Sequence, residues 1–194
     1  MIAIVDSGGA NIASVVDAFE RLGASVQLTR DPAAIRAAKK VVLPGVGAAA
    51  PAMARLREAG LEDCLKSLTQ PVLGICLGLQ LLFERSEEGN APCLGLIPGM
   101  AALLRPEGLP VPHMGWNRVG QTRPSPLFRG IADGEFFYFT HSYQGADGAW
   151  VTARCDYGGP VTAAVERGNF LAVQFHPERS SKAGARLLEN FLAL

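Results

Sequence analysis

The sequence predicts an α/β fold: a mostly parallel central sheet flanked by helices, with additional antiparallel strands contributed by the second half. Three observations carry this. Up to Asn90, short apolar runs rich in Val and Ile alternate with stretches of helical periodicity. Beyond it, prolines and glycines cluster between shorter strand-like runs. Hydrophobic residues make up 48% of the 194-residue chain, enough to build one sizeable core and to exclude general disorder.

The elements follow in order. "IAIVD" reads as a buried strand, and "NIASVVDAFERLG" as a helix closed by Gly23. "SVQLTR" is a second strand. "DPAAIRAA" opens a helix with Asp31 as N-cap and Pro32 at its first position. "KKVVLPG" is a third strand, followed by a helical stretch from Ala49 to Leu68 broken at Gly60. "PVLGIC" is a fourth strand, running straight into a helix over "LGLQLLFERS". Strand–helix alternation of this kind implies right-handed crossovers and a sheet covered on both faces. In the second half, "VPHMGWNRVG", "GEFFYFTHSY", "AWVTARCDYGG", "PVTAAVERGN" and "FLAVQFHPE" read as strands, with "ERGN" as a hairpin connection. "SKAGARLLENFLAL" is an amphipathic helix whose buried stripe is Leu187, Leu188, Phe191 and Leu192.

Charge and cysteine usage narrow the function. Eighteen basic residues balance eighteen acidic ones with no dense basic block, which disfavours nucleic acid or an anionic membrane as partner. The start "MIAIVD" lacks the basic segment and long apolar stretch of a secretory signal, and no apolar run approaches a membrane span. Cys64, Cys76, Cys93 and Cys155 are scattered without a CxxC pair, against a zinc site or a disulfide scaffold. "SGGAN" is not a dinucleotide fingerprint and no P-loop motif appears, so no cofactor is expected. These features predict a soluble, cytoplasmic protein without metal.

"VLGICLGLQLLF" places Cys76 between Gly74 and Gly78 where a strand turns into a helix, the thiol form of a nucleophile elbow. Glycine is needed where a sharp turn brings backbones together. The turn holds the sulfur at the carboxyl edge of the sheet and at a helix N-terminus, beside the Leu77 amide. A buried structural cysteine is an equally good reading of this stretch alone. A nucleophile needs a base and the base needs an orienter. His176, in "VQFHPERS", ends an apolar strand, and Glu178 two residues on can accept from its ring; a strand-end histidine beside a solvated acid fits as well. "VLPGVG" ends the third strand in a loop able to aim a backbone N–H at a substrate carbonyl, or in a plain turn.

Together "PGVG", "GICLGLQLLFERSEE" and "VQFHPERS" resemble the class I (triad-type) glutamine amidotransferases, from Met1 to the last helix and in the expected order. "SGGAN", "HMGWN" (113–117) and "FYFTHSY" (137–143) narrow the resemblance to the glutaminase subunits of imidazole glycerol phosphate synthase. The resemblance implies one amidotransferase domain over residues 1–194, with Cys76 as nucleophile, His176 as base and then acid, and Glu178 as orienter. It implies oxyanion amides at Gly45, Val46, Gly47 and Leu77, and glutamine contacts from Gln80, Glu88 and the Ser142–Tyr143 backbone. Trp116, Asn117 and Tyr138 would face a cyclase subunit, a (β/α)₈ barrel in a 1:1 heterodimer, which receives ammonia. His113 and His141 would be structural or at that interface. Without the resemblance, Gln80 and Glu88 read as surface groups and Trp116 and Tyr138 as core aromatics. Leu79, Thr140 and Arg179 depart conservatively from the family's usual residues.

Overall fold

The computed structural model describes residues 1–8 and 12–194, so part of the "SGGAN" stretch (7–11) lies outside the described residues. The first half contains β1 (Ile2–Val5), α1 (Ile12–Arg21), β2 (Val26–Thr29), α2 (Pro32–Ala37), β3 (Lys40–Gly45), α3 (Ala49–Glu58), α4 (Leu61–Lys66), β4 (Val72–Cys76) and α5 (Leu77–Leu81). The second half contains β5 (Phe83–Ser86), β6 (Ala91–Pro92), β7 (Ile97–Leu103), β8 (His113–Gln121), β9 (Glu135–His141), β10 (Tyr143–Gln144), β11 (Val151–Asp156), β12 (Pro160–Arg167), β13 (Phe170–Val173) and α6 (Ser181–Leu192).

A nine-stranded sheet in the order β2-β1-β3-β4-β13-β12-β11-β8-β9 forms the centre. Its first five strands are parallel, and the other four join antiparallel. Of the parallel strands, β1, β3, β4 and β13 are buried on both faces and read as apolar runs, whereas the edge strand β2 is half-exposed and mixes in Gln27 and Thr29. In β1, Ala3 and Val5 enter one core layer while Ile2 and Ile4 enter the other. The decisive topological step is β13. It returns from the antiparallel half to lie parallel to β4, pairing Val173 with Ile75. The residues that follow each strand therefore emerge at the same carboxyl edge.

Local signals behave as their chemistry requires. Asp31 Oδ1 accepts from the Ala33 N–H at 2.9 Å and Pro32 begins α2. Gly60, at φ 67°, separates α3 from α4. Gly168 and Asn169 turn β12 into β13. Three expectations need correction. The helix over "LGLQLLFERS" stops at Leu81, and Phe83–Ser86 is a strand instead. The cause is non-local: β5 pairs with β6 and β7, and fully buried Phe83 packs edge-on against Trp150. The four-stranded sheet β10-β7-β5-β6 that results has no counterpart in the sequence reading. Leu192 is only half-buried, while Leu187, Leu188 and Phe191 form the buried stripe of α6. No helix among the described residues is long and apolar enough to cross a membrane.

Candidate active site

Cys76 closes β4 and opens α5 with a backbone at φ 54° and ψ −108°, an unfavourable region for a residue with a Cβ. The surroundings hold it there. A Cβ added at Gly78 would lie 1.9 Å from the Leu43 carbonyl oxygen, and one at Gly74 would lie 2.9 Å from the Ala172 Cβ. Gly45 pairs with Cys76 across the sheet, and a Cβ there would meet the Leu77 Cβ at 2.9 Å. The glycines are thus required by close approach, as the elbow reading demands. The Cys76 Sγ faces the Thr140 carbonyl at 3.8 Å, and Gln174 Nε2 donates to it at 3.7 Å.

His176 follows β13 in a loop docked on the edge strand β9. Its N–H donates to the Tyr138 carbonyl at 2.9 Å. Buried Ser180 completes the clamp: its Oγ donates to the His176 carbonyl at 2.6 Å and accepts the Tyr138 N–H at 3.0 Å. The loop therefore satisfies both backbone groups of Tyr138 on an otherwise open edge. His176 Nδ1 lies 2.8 Å from Glu178 Oε1, with both side chains buried. A carboxylate only accepts, so Nδ1 carries a proton and Nε2 is the atom left to exchange one. Nε2 is buried without a hydrogen-bond partner, on the cavity that Cys76 also lines. Burial opposes charge on this ring, but Cys76 and then Glu178 outweigh it and raise the imidazole to about 10.

That cavity has a volume of about 330 Å³. Besides Cys76 and His176, it is lined by Val46, Gly47 and Leu77, by Gln80 and Glu88, and by Pro112 with the segment Thr140–Tyr143. Gly45 is brought against Leu77 but lines a small neighbouring void behind His176 and Glu178. Gln80 is buried, and its amide donates to the Tyr143 carbonyl at 2.9 Å and to Gln174 Oε1 at 3.2 Å. Glu88 Oε2 accepts the Ala49 N–H at 2.9 Å, tying it to the segment just past Gly47.

The remaining sequence-predicted positions lie on the β8–β9 ribbon, where residues alternate between faces. Trp116 sits opposite Tyr138, their rings 6.0 Å apart, with exposed Met114 and Phe136 on the same face. Asn117 belongs to the other face. Its amide is turned inward, donating to the Asp156 carbonyl at 2.8 Å and meeting His113 Nε2 at 3.3 Å. His113 and His141 are buried partners, Nδ1 to Nε2 at 3.0 Å, and burial lowers each to about 4. His141 nevertheless reaches the cavity. Sequence reading missed Gln174, Thr140 and Ser180. Gln174 alone left a trace, as a polar residue in an apolar strand end two positions before His176.

The glutamine amidotransferase class-I family model matches residues 3–194. The chain is 52% identical, over all its length and 99% of the relative's, to the imidazole glycerol phosphate synthase subunit HisH of Escherichia coli (strain K12). It is 50% identical to the subunit of the same name from Vibrio parahaemolyticus, over all of this chain and 98% of the relative. A solved glutamine amidotransferase superposes with a TM-score of 0.77 at 20% identity, covering 99% of this chain and 97% of that one. The glutaminase domain of Trypanosoma brucei CTPS, solved with bound acivicin, superposes at 0.71 with 20% identity, covering 99% of this chain and 92% of that one. The elbow, the histidine loop and the fold around them thus come with a match along nearly the whole chain, and the chain belongs to the class I glutamine amidotransferases.

Proposed function

We propose that this chain is the glutaminase subunit of imidazole glycerol phosphate synthase, acting in the cytoplasm in histidine biosynthesis. The observation that carries the proposal is the convergence of Cys76 and the His176–Glu178 pair on one cavity, in a chain half-identical along its length to subunits of that name. The Cys76 sulfur attacks the side-chain amide carbon of L-glutamine. The Leu77 amide and the 45–47 loop stabilise the oxyanion. His176, oriented by Glu178, delivers its Nε2 proton to the departing nitrogen, and ammonia leaves a γ-glutamyl thioester on Cys76. The same ring then takes a proton from water as the water attacks the thioester, and glutamate is released.

Gln80, Glu88 and the backbone of Ser142 and Tyr143 hold the glutamine. The cavity they line matches an amino acid of this size, and Glu88 supplies the negative charge an α-ammonium group requires. Ammonia set free in water would be protonated and lost as a nucleophile, so a synthase partner follows from the chemistry. That partner is a cyclase subunit, a (β/α)₈ barrel bound 1:1. The exposed Trp116, with Tyr138, Met114 and Phe136, offers it an aromatic, apolar face. Asn117 supports this face from behind, through its bonds to Asp156 and His113.

The test is glutamine hydrolysis by the purified chain, alone and with a histidine-pathway cyclase subunit saturated with its nucleotide ligand. Low activity alone and a large rise in the mixture are expected, with Cys76→Ala abolishing both. A cyclase that brings no rise removes the histidine-pathway assignment and leaves a glutaminase of another synthase.

A further inference from the structure

The Cys76 sulfur receives a hydrogen bond from a side chain outside the Cys–His–Glu set. Gln174 is fully buried, and its Nε2 stands 3.7 Å from Sγ. An amide can be turned either way, so the direction of this contact has to be earned. The surrounding bonds fix it. The Tyr143 carbonyl can only accept, so the Gln80 group 2.9 Å from it must be the NH₂. That same NH₂ lies 3.2 Å from Gln174, which must therefore present its oxygen there. The opposite end of the Gln174 amide, the end at sulfur, is then necessarily the donor. His141 Nδ1 also reaches the Tyr143 carbonyl, at 2.8 Å, and holds the reference acceptor in place. The polarity of the chain runs one way, from a backbone carbonyl through two amides to sulfur.

We propose that Gln174 is a further catalytic residue: its Nε2–H donates to the Cys76 sulfur, stabilising the anionic nucleophile and aiming it into the cavity, with Gln80 locking the amide in the donating orientation. The inference deepens the glutaminase reading and rests on Cys76 being the nucleophile. It places one neutral amide donor on the sulfur, whose other polar neighbour is the Thr140 carbonyl at 3.8 Å. The amide does not titrate, so it marks one rotamer of the sulfur whatever the state of His176. It also gives Gln80 a task besides substrate contact, because losing its NH₂ would free Gln174 to turn over.

The test is the rate of Cys76 alkylation by iodoacetamide at neutral pH in the full chain, which needs neither glutamine nor a partner. Cys76→Ala supplies the background, which is low because burial raises Cys64, raises Cys93 to about 11 and raises Cys155 to about 12. Gln174→Met keeps the length and removes the donor; Gln174→Glu keeps the shape and puts oxygen at sulfur. Both should slow alkylation about tenfold and lower kcat far more than they raise KM. Thermal unfolding of each variant establishes that the measured fraction is folded. Alkylation within twofold of the parent in either folded variant overturns the proposal. If the parent alkylates at Cys76, responds to Gln174 and yet hydrolyses no glutamine with any synthase, the glutaminase reading fails while the sulfur contact stands.

Discussion

The two walls of the cavity are held by different kinds of force. The Cys76 elbow is fixed by exclusion: Gly45, Gly74 and Gly78 let three backbone segments approach so closely that the turn has no room to relax. The histidine loop is fixed by polar bonds, from Tyr138, Ser180 and Glu178. The difference teaches where each wall is vulnerable. Excluded volume ignores pH but tolerates no extra atom. Hydrogen bonds between ionisable groups tolerate changes of shape but depend on protonation.

The comparison is broken most strongly at Gly78. A methyl group there must displace the Leu43 carbonyl from 1.9 Å, and Leu43 is a fully buried residue of the central strand β3. Gly78→Ala should cost at least about 4 kcal/mol in urea unfolding, as expected of overpacking against backbone. At Gly47 an added Cβ meets nothing within 4 Å, so Gly47→Ala serves as the control and should cost far less despite its φ of 90°. Equal losses at the two positions would remove exclusion as the explanation of the elbow.

Protonation sharpens the other side of the comparison. Burial holds His113 and His141 near 4, against 6.5 for a free ring. The unfolded chain then binds more protons than the folded one between those values. Stability is full above pH 6.5 and falls as pH drops toward 4, by on the order of 3 kcal/mol for each ring. His176 has the opposite sign. Raised to about 10, it adds stability that is complete below 6.5 and lost as pH rises through 10. Urea midpoints measured from pH 4 to 10 should trace a dome with these two limbs. Glu178→Gln should make the alkaline limb shallower and leave the acid limb unchanged; if it weakens the acid limb instead, the assignment of the limbs is reversed.

The same contrast governs what the sequence could disclose. The elbow was legible because its parts are contiguous: strand, Gly74, Cys76, Gly78, helix. The His176–Glu178 pair was legible for the same reason, two residues apart on one loop. Gln174 was visible as a polar intrusion but not interpretable, since its meaning depends on β13 inserting beside β4 nearly a hundred residues away in sequence. The small sheet was hidden because "LLFERS" carries a helical pattern that loses to pairing with β7. The resemblance groups Asn117 with Trp116, and only the pairing of β8 with β9 shows that their side chains leave opposite faces of the ribbon.

Ser180 gives the smallest and most selective test. It lies between the two walls in kind: a buried hydroxyl that neither titrates nor fills contested space, yet bonds the His176 carbonyl and the Tyr138 N–H together. Ser180→Ala removes both bonds and leaves the Tyr138 N–H without its acceptor, a loss of about 1–2 kcal/mol. Ser180 bonds neither Cys76 nor Gln174, so iodoacetamide should reach Cys76 at nearly the parental rate. Glutamine turnover should fall several-fold through kcat, because the ring that must deliver a proton is no longer held at its backbone. A variant that loses stability but keeps the parental kcat would show that Glu178 alone orients His176, and that the clamp on Tyr138 serves only the fold.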